Sequence, residues 1–179
     1  MPKTDKRIAK VYLDGGMGDN DTRWKNGYGF MDGKYASIQY ITRKKIIEYF
    51  KNKDFIFYKQ NRIPRIEQWQ KRTQYVFSIS PNGHGIDCIR LWESLALGQI
   101  VIVQTSPLDY LYEGLPVVIV KDWSEVNPKN LEKWLVQYAD AAENPKYREK
   151  LTFNYWYEKI NSLRNLEHEK ELEGTKKYL

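Results

Sequence analysis

The feature that most constrains this chain is a strand–helix–strand pattern in its middle. Tyr75–Ser80 (YVFSIS) is an apolar run that ends at Pro81, and Gln99–Gln104 (QIVIVQ) is a second such run. Between them, Cys88–Leu97 (CIRLWESLAL) has the spacing of a helix that Gly98 stops. Two buried strands joined by a helix within about 30 residues are typical of a right-handed βαβ unit. The pattern therefore predicts a parallel sheet.

The alternation of strand and helix continues on both sides of this unit. Further strands are predicted at Lys10–Leu13, Asp54–Tyr58 and Pro116–Val120. Further helices are predicted at Arg43–Lys53, from Pro64 to about Arg72, at Asn127–Ala142 and at Tyr147–Arg164. We therefore predict one α/β domain over residues 1–165, a Rossmann-like three-layer parallel sheet that binds a ligand. Residues 166–179 are expected to be a frayed or solvated tail.

Composition excludes several classes of protein. The longest apolar runs fall far short of the roughly 20 residues that cross a bilayer, so no membrane span is predicted. No apolar leader follows the basic start of the chain, which argues against a secretory signal. Cys88 is the single cysteine, which excludes an internal disulfide and a cysteine-based zinc cage. With only His84 and His168 as histidines, no metal centre is expected, and a reducing, cytoplasmic location is the default.

Charge is unevenly distributed along the chain. Residues 1–74 carry 17 Lys and Arg against 8 Asp and Glu, whereas residues 75–145 carry 4 against 9. A basic first part can bind an anionic ligand or partner, or it can reflect compositional drift. Aromatic residues lie among the basic ones, which is typical of nucleic-acid binding. One hypothesis is therefore a non-catalytic α/β module that binds nucleic acid or another polyanion through residues 1–74.

A glycine-rich loop lies between the first strand of the central unit and its helix. Ligands of parallel sheets bind beyond the carboxyl ends of the strands, and the loop Asn82–Asp87 (NGHGID) lies at such an end. Gly83 and Gly85 allow backbone N–H groups to approach a ligand closely. Asp87 suits the N-cap of a helix beginning at Cys88, and that helix start suits a phosphate. The glycines can equally be turn residues, and Asp87 only a cap.

Two charged residues follow on one face of the same helix. Arg90 offers a bidentate guanidinium to phosphate oxygens. Glu93, three residues further on, can accept two hydrogen bonds from a vicinal diol such as the ribose of a nucleotide. The alternative is that Arg90 and Glu93 form a surface ion pair worth about 0.3–0.5 kcal/mol. His84 is likewise either a loop histidine or a catalytic group.

These residues carry a resemblance to a known family. The segment SPNGHGIDCIRLWESLALGQIVIV resembles the donor-binding core of GT-B glycosyltransferases, specifically the exostosin-like family, and PLDYLYEGLPVVIVKDWSEV is similar to the loop and strand that come after that core. The resemblance covers about residues 74–126. Gln99-Ile100-Val101 departs from it, since the family usually has a proline after the isoleucine. The fold it implies is the C-terminal half of a GT-B glycosyltransferase.

The resemblance implies an enzyme that transfers a sugar from a nucleotide-diphosphate sugar to a hydroxyl acceptor such as a glycan. By position, Glu93 would hold the ribose and Arg90 the diphosphate. The other implied donor-binding residues are Gly83, His84 and Gly85 beside the diphosphate or sugar, Asp87 shaping the loop, and Thr105 and Ser106 near the base or ribose. His84 is the only candidate catalytic residue.

Three further expectations concern charge, metal and the second half of the cleft. Lys59 ends a neighbouring predicted strand and either faces the diphosphate or is solvated. The run Gly18–Asp21 (GDND) superficially resembles the Asp-x-Asp metal motif of GT-A transferases, but it follows glycines rather than an apolar strand, so no metal or other cofactor is expected. GT-B enzymes use two Rossmann-like domains, so a separate acceptor-binding domain or chain is an expected partner.

Overall fold

The computed structural model describes residues 2–14, 44–59, 61, 63–82 and 86–176. The chain forms two compact units, Met1–Asn144 and Pro145–Leu179. The first unit contains the sheet, and the described part of the second is helical. The domain boundary predicted after residue 165 stays a prediction.

A five-stranded parallel sheet forms the centre of the first unit in the part of the chain that is described. Its strands are β1 (Ile8–Asp14), β2 (Ile56–Lys59), β3 (Tyr75–Ile79), β4 (Ile100–Gln104) and β5 (Val117–Val120). They lie in the order β2-β1-β3-β4-β5, and every neighbouring pair is parallel. The predicted parallel sheet is confirmed, and each strand begins and ends within two residues of its predicted bounds.

Helices accompany the strands. They are α1 (44–50), α2 (Arg65–Arg72), α3 (Ile89–Ala96), α4 (Pro128–Gln137), α5 (Pro145–Glu149) and α6 (Phe153–Lys176). Short 3-10 helices lie at Thr4–Lys6, Asp109–Tyr112 and Trp123–Glu125. None of the helices in the described ranges is long and apolar enough to cross a membrane.

The helix predicted over Asn127–Ala142 ends earlier, at Gln137. The chain then turns so that Ala141 and Ala142 become buried. The Ala142 N–H donates to Thr4 Oγ1 at 3.1 Å, which ties this turn to the N-terminal segment. Tertiary contacts therefore end the helix where the sequence pattern would continue it.

The helix predicted over Tyr147–Arg164 is divided in two by a break between α5 and α6. At the break, Thr152 Oγ1 accepts a hydrogen bond from the Tyr155 N–H at 3.3 Å, as the side chain of an N-cap residue does. α6 then runs to Lys176, so the segment predicted as a tail is helical up to that residue.

Helices cover both faces of the sheet. Val11 of β1 belongs to the main apolar core, whereas the next residue, Tyr12, lies on the opposite face. The core side receives Ile46 and Phe50 from α1, and Leu131 and Trp134 from α4. On the other side, Arg72 of α2 lies over the Tyr12 ring, and Ser94 of α3 donates a hydrogen bond to Ser78 of β3. The predicted three-layer, Rossmann-like α/β architecture is therefore confirmed.

The order of the strands reverses between β1 and β3, since β2 lies on one side of β1 and β3 to β5 on the other. Such a reversal leaves a crevice outside the carboxyl ends of the two central strands, where ligands of open parallel sheets bind. Asp14 and Lys59 end β1 and β2, and Ser80 directly follows β3. Polar side chains therefore meet at the edge where this fold places a ligand.

Gly98 follows the end of α3, as predicted. Its φ of 71° is in the left-handed region, and its N–H donates to the Leu95 carbonyl at 2.8 Å. A Cβ atom at this position would lie 2.8 Å from the Ala142 Cα atom. Both the backbone conformation and the close approach of the chain therefore require glycine.

Candidate functional site

A group of charged side chains lies at the carboxyl edge of β1 and β2. Asp14 and Lys59 are paired in register and share one face of the sheet. Lys59 Nζ lies 3.6 Å from Asp14 Oδ1, and the two side chains are 8% and 7% exposed. The Gln68 side chain also donates to Asp14 Oδ2. Lys59 is therefore buried rather than solvated, and the buried Asp14 carboxylate balances its charge.

Arg72 connects this pair to α3. Its side chain is 1% exposed, with Nη2 3.5 Å from Asp14 Oδ2 and Nη1 3.4 Å from Glu93 Oε2. Its guanidinium carbon lies 5.7 Å from the centre of the Tyr12 ring. Burial lowers the pKa of Arg72, and the negative charge of Asp14 opposes that shift. Because an arginine remains protonated even so, Arg72 is a buried cation shared by two carboxylates.

Glu93 is held from two sides. Arg72 contacts its Oε2 atom, and Arg65 at the start of α2 contacts its Oε1 atom through Nη2 and, at 3.1 Å, through Nε. The Glu93 side chain is 20% exposed, whereas that of Arg65 is 65% exposed. The Arg65 guanidinium also lies over the Trp69 ring at 5.2 Å. The carboxylate predicted to bind a ribose therefore has one buried and one exposed arginine as partners.

We call Asp14, Lys59, Arg65, Arg72 and Glu93 the edge cluster. Its three cations exceed its two carboxylates. The half-buried Arg90 adds another positive charge nearby. This charge is a minor factor that acts to lower the pKa of both Tyr12 and Arg72, although the net pKa of Tyr12 is raised. The edge cluster together with Arg90 is therefore positive, although residues 75–145 are acidic in sequence.

Three buried polar atoms at this edge have no hydrogen-bond partner within the described ranges: Tyr12 Oη, Arg72 Nε and Ser80 Oγ. The Ser80 side chain lies directly beyond β3 and is 4% exposed. Burial, and next the charge of Asp14, raises the pKa of Tyr12 far above its usual value, so this phenol stays neutral. Buried donors and acceptors without protein partners are available to water or to a bound molecule.

Asp87 has a different place from the one predicted. The N-cap of α3 is Cys88 rather than Asp87, and the helix begins at Ile89. Asp87 Oδ1 accepts hydrogen bonds from the Cys88 N–H at 2.8 Å and from Trp92 Nε1 at 2.9 Å. The carboxylate thus connects Asp87 to the first turn of α3. The prediction that Asp87 is the N-cap is wrong, because its side chain binds the adjacent N–H and an indole instead.

Arg90 and Glu93 do not form the surface ion pair that was the alternative for them. Glu93 bonds to Arg65 and Arg72, and Arg90 makes no hydrogen bond or ion pair with another residue in the described part of the chain. Among the described residues, Arg90 is therefore a cation without an ionic partner, in contrast to Arg65 and Arg72.

The loop after β4 is organised by Asp109. Thr105 Oγ1 donates to Asp109 Oδ2 at 2.6 Å, and the Ser106 N–H donates to Oδ1 at 2.9 Å. β1 and β3 lie between this strand and β2, which ends at Lys59. At about 4.8 Å per strand, Thr105 and Lys59 are separated by roughly 14 Å. One phosphate therefore cannot bridge the two residues.

Other predicted site residues lie outside the described residues. These are Gly83, His84 and Gly85 of the loop, together with the Gly18–Asp21 run. Among the residues that are described, no group of three or more His, Cys, Asp or Glu side chains could hold a metal ion. The expectation of a metal-independent site stays a prediction.

Sequence reasoning missed Asp14, Arg65 and Arg72. Two signals could have found them. Asp14 is a carboxylate that directly follows the apolar run VYL, and Arg65, Gln68 and Arg72 have the i, i+3, i+7 spacing of one helix face. An acidic strand end and a basic helix face, both at the reversal of the sheet, indicate a buried ionic group.

No protein-family model matches this sequence, and none of the curated proteins compared with it matches.

Proposed function

We propose that this chain is a glycosyltransferase, or the donor-binding domain of one, that transfers a sugar from a nucleotide-diphosphate sugar to a hydroxyl acceptor such as a glycan. The observation that carries the proposal is the joint placement of Arg90 and Glu93 at the start of α3, beside a positive edge cluster. A nucleotide diphosphate presents the complementary groups, which are an anion and a vicinal diol. The exostosin-like resemblance supports the same assignment of these two residues.

Five of the predicted residues have a role in this part of the proposal: Arg90, Glu93, Thr105, Ser106 and Lys59. Arg90 and N–H groups at the start of α3 hold the diphosphate. Glu93 accepts hydrogen bonds from the ribose diol, and the Thr105–Ser106 loop lies further along the edge for the base or ribose. Lys59, which is buried against Asp14, strengthens the positive field without contacting the donor. The arginines supply the charge that a metal would otherwise supply, so the proposal needs no metal ion or other cofactor.

Catalysis in this proposal requires a second side to the cleft that holds donor and acceptor. Transfer needs donor and acceptor held within about 3–3.5 Å in a cleft from which water is excluded. One sheet edge offers one side of such a cleft, so an acceptor-binding domain or chain would complete it. His84 is the candidate base within the predicted loop. The cytoplasmic location predicted from the sequence is part of the same proposal.

Calorimetric titration with UDP, GDP and a short oligonucleotide at two salt concentrations tests the proposal. We expect saturable binding of at least one nucleotide diphosphate. Replacing Glu93 with Ala should weaken it by about 1–3 kcal/mol, because the diol loses a charged acceptor. Glu113→Ala removes an exposed carboxylate of the same sheet unit and serves as the matched control. Equal binding by the parent and Glu93→Ala would refute the ribose role. Salt-sensitive oligonucleotide binding without diphosphate binding would favour the nucleic-acid module instead.

A further inference from the structure

Arg65 occupies the carboxylate that the proposed function assigns to a ribose. Nε and Nη2 of Arg65 both donate to Glu93 Oε1, while Arg72 donates to Oε2. An ionised carboxylate has about four acceptor positions, two on each oxygen. The two arginines thus use three of them. A vicinal diol needs two acceptor positions, so it cannot bind Glu93 while Arg65 stays in place.

The two arginines differ in how firmly they are held. Arg72 is 1% exposed, lies over the Tyr12 ring and contacts both Asp14 and Glu93. Arg65 is 65% exposed, and its guanidinium contacts only the Glu93 carboxylate and the Trp69 ring within the described structure. An ion pair with one solvent-exposed partner is weak, because water screens it and ordering the long side chain costs entropy. A ligand can therefore displace Arg65 from Glu93, but not Arg72.

A displaced Arg65 has a second anion within reach in the proposed complex. Arg65 is the first residue of α2, and its contact with Glu93 places its guanidinium beside the second turn of α3. Arg90 lies one turn before Glu93 on α3, where the proposed diphosphate binds. Planar guanidinium groups bind phosphate oxygens in a bidentate manner. The guanidinium that leaves the carboxylate can therefore reach the diphosphate.

We propose that Arg65 is a diphosphate-binding residue that Glu93 holds in the ligand-free chain and that the ribose diol releases. The inference rests on the proposed function and adds a residue and an order of events to it. The diol takes the place of Arg65 on Oε1, and Arg65 exchanges one anionic partner for another. A nucleoside without phosphates has to displace Arg65 with no such compensation. Arg65 therefore favours the diphosphate over the nucleoside.

Calorimetric titration of the full chain with UDP and GDP, and by competition with uridine and guanosine, tests this inference. In Arg65→Met we expect the Kd of the diphosphate to rise about tenfold, since a charge-assisted hydrogen bond is lost. The Kd of the corresponding nucleoside should not rise, because its competitor for Glu93 is gone. Arg65→Lys, which keeps the charge but not the fork, should lie between the parent and Arg65→Met.

The matched control is Arg164→Met, which removes an exposed arginine of α6. Thermal unfolding of each variant establishes that it is folded. If the parent binds a diphosphate and Arg65→Met binds it as tightly as Arg164→Met, the inference is wrong and the proposed function stands. Equal weakening of nucleoside and diphosphate would also overturn it, because Arg65 would then act only by orienting Glu93. A parent chain that binds neither UDP nor GDP overturns both.

Discussion

Replacing Arg72 with Met should strongly destabilise the first unit. Met keeps most of the aliphatic packing and removes the charge, which leaves Asp14 with Lys59 and Gln68 and leaves Glu93 with Arg65. Removing one partner of a buried ion pair costs about 3–5 kcal/mol, because the other charge stays buried. Since Asp14 is 7% exposed but retains a lysine at 3.6 Å, we expect the lower end, about 3 kcal/mol.

Urea denaturation at pH 7, followed by circular dichroism, measures the free energy of unfolding for a double-mutant cycle. The variants are Arg72→Met, Asp14→Asn and the double variant, and their coupling energy should be about 1–3 kcal/mol. Lys71→Met, which removes an exposed cation from the same end of α2, is the matched control and should change stability by less than about 0.5 kcal/mol. Salt should alter the coupling little, because buried pairs are weakly screened.

The reasoning fails if Arg72→Met is as stable as Lys71→Met. Additive effects of the Asp14 and Arg72 replacements would also contradict it, since the two groups would then not interact. A strong effect that high salt abolishes would mean that the pair is exposed to solvent.

Four further outcomes are expected. Gly98→Ala should lose about 2–4 kcal/mol of unfolding free energy, because positive φ and the approach of Ala142 both oppose a Cβ. Gly114→Ala, at a φ of 69° but exposed, should lose only about 1–2 kcal/mol. Burial raises the pKa of Glu143, but hydrogen bonds from Thr4 outweigh this, so the net pKa is lowered. Its stabilisation is then present above the ordinary glutamate pKa and lost as pH falls through the lower folded value, and Glu143→Gln should flatten the urea-derived stability as pH falls below the ordinary glutamate pKa. Finally, the purified chain should bind a nucleotide diphosphate but transfer sugar poorly in a product assay, and efficient transfer that is lost on replacing His84 would contradict this.

The architecture was predictable because it depends on local periodicity. The apolar runs at β3, β4 and β5 are short and lie at spacings that admit a helix between the first two, and parallel pairing follows from that arithmetic. Where tertiary contacts decided the outcome, the prediction was wrong. α4 stops at Gln137 because Ala141 is buried in the main core and Ala142 bonds to Thr4, which lies over 130 residues away in sequence.

The candidate site shows the same division between local and tertiary information. Arg90 and Glu93 were predicted together because a helix places residues three apart on one face. Their real partners come from elsewhere: Arg65 and Arg72 lie at the two ends of α2, and Asp14 ends β1. No local pattern predicts that Glu93 is shared between them, because that depends on how α2 and α3 pack on one face of the sheet. Yet this sharing changes the chemistry most. It turns Glu93 from an open acceptor into one that Arg65 already occupies. In the proposed function, recognition of the diol and recognition of the phosphate therefore become coupled steps.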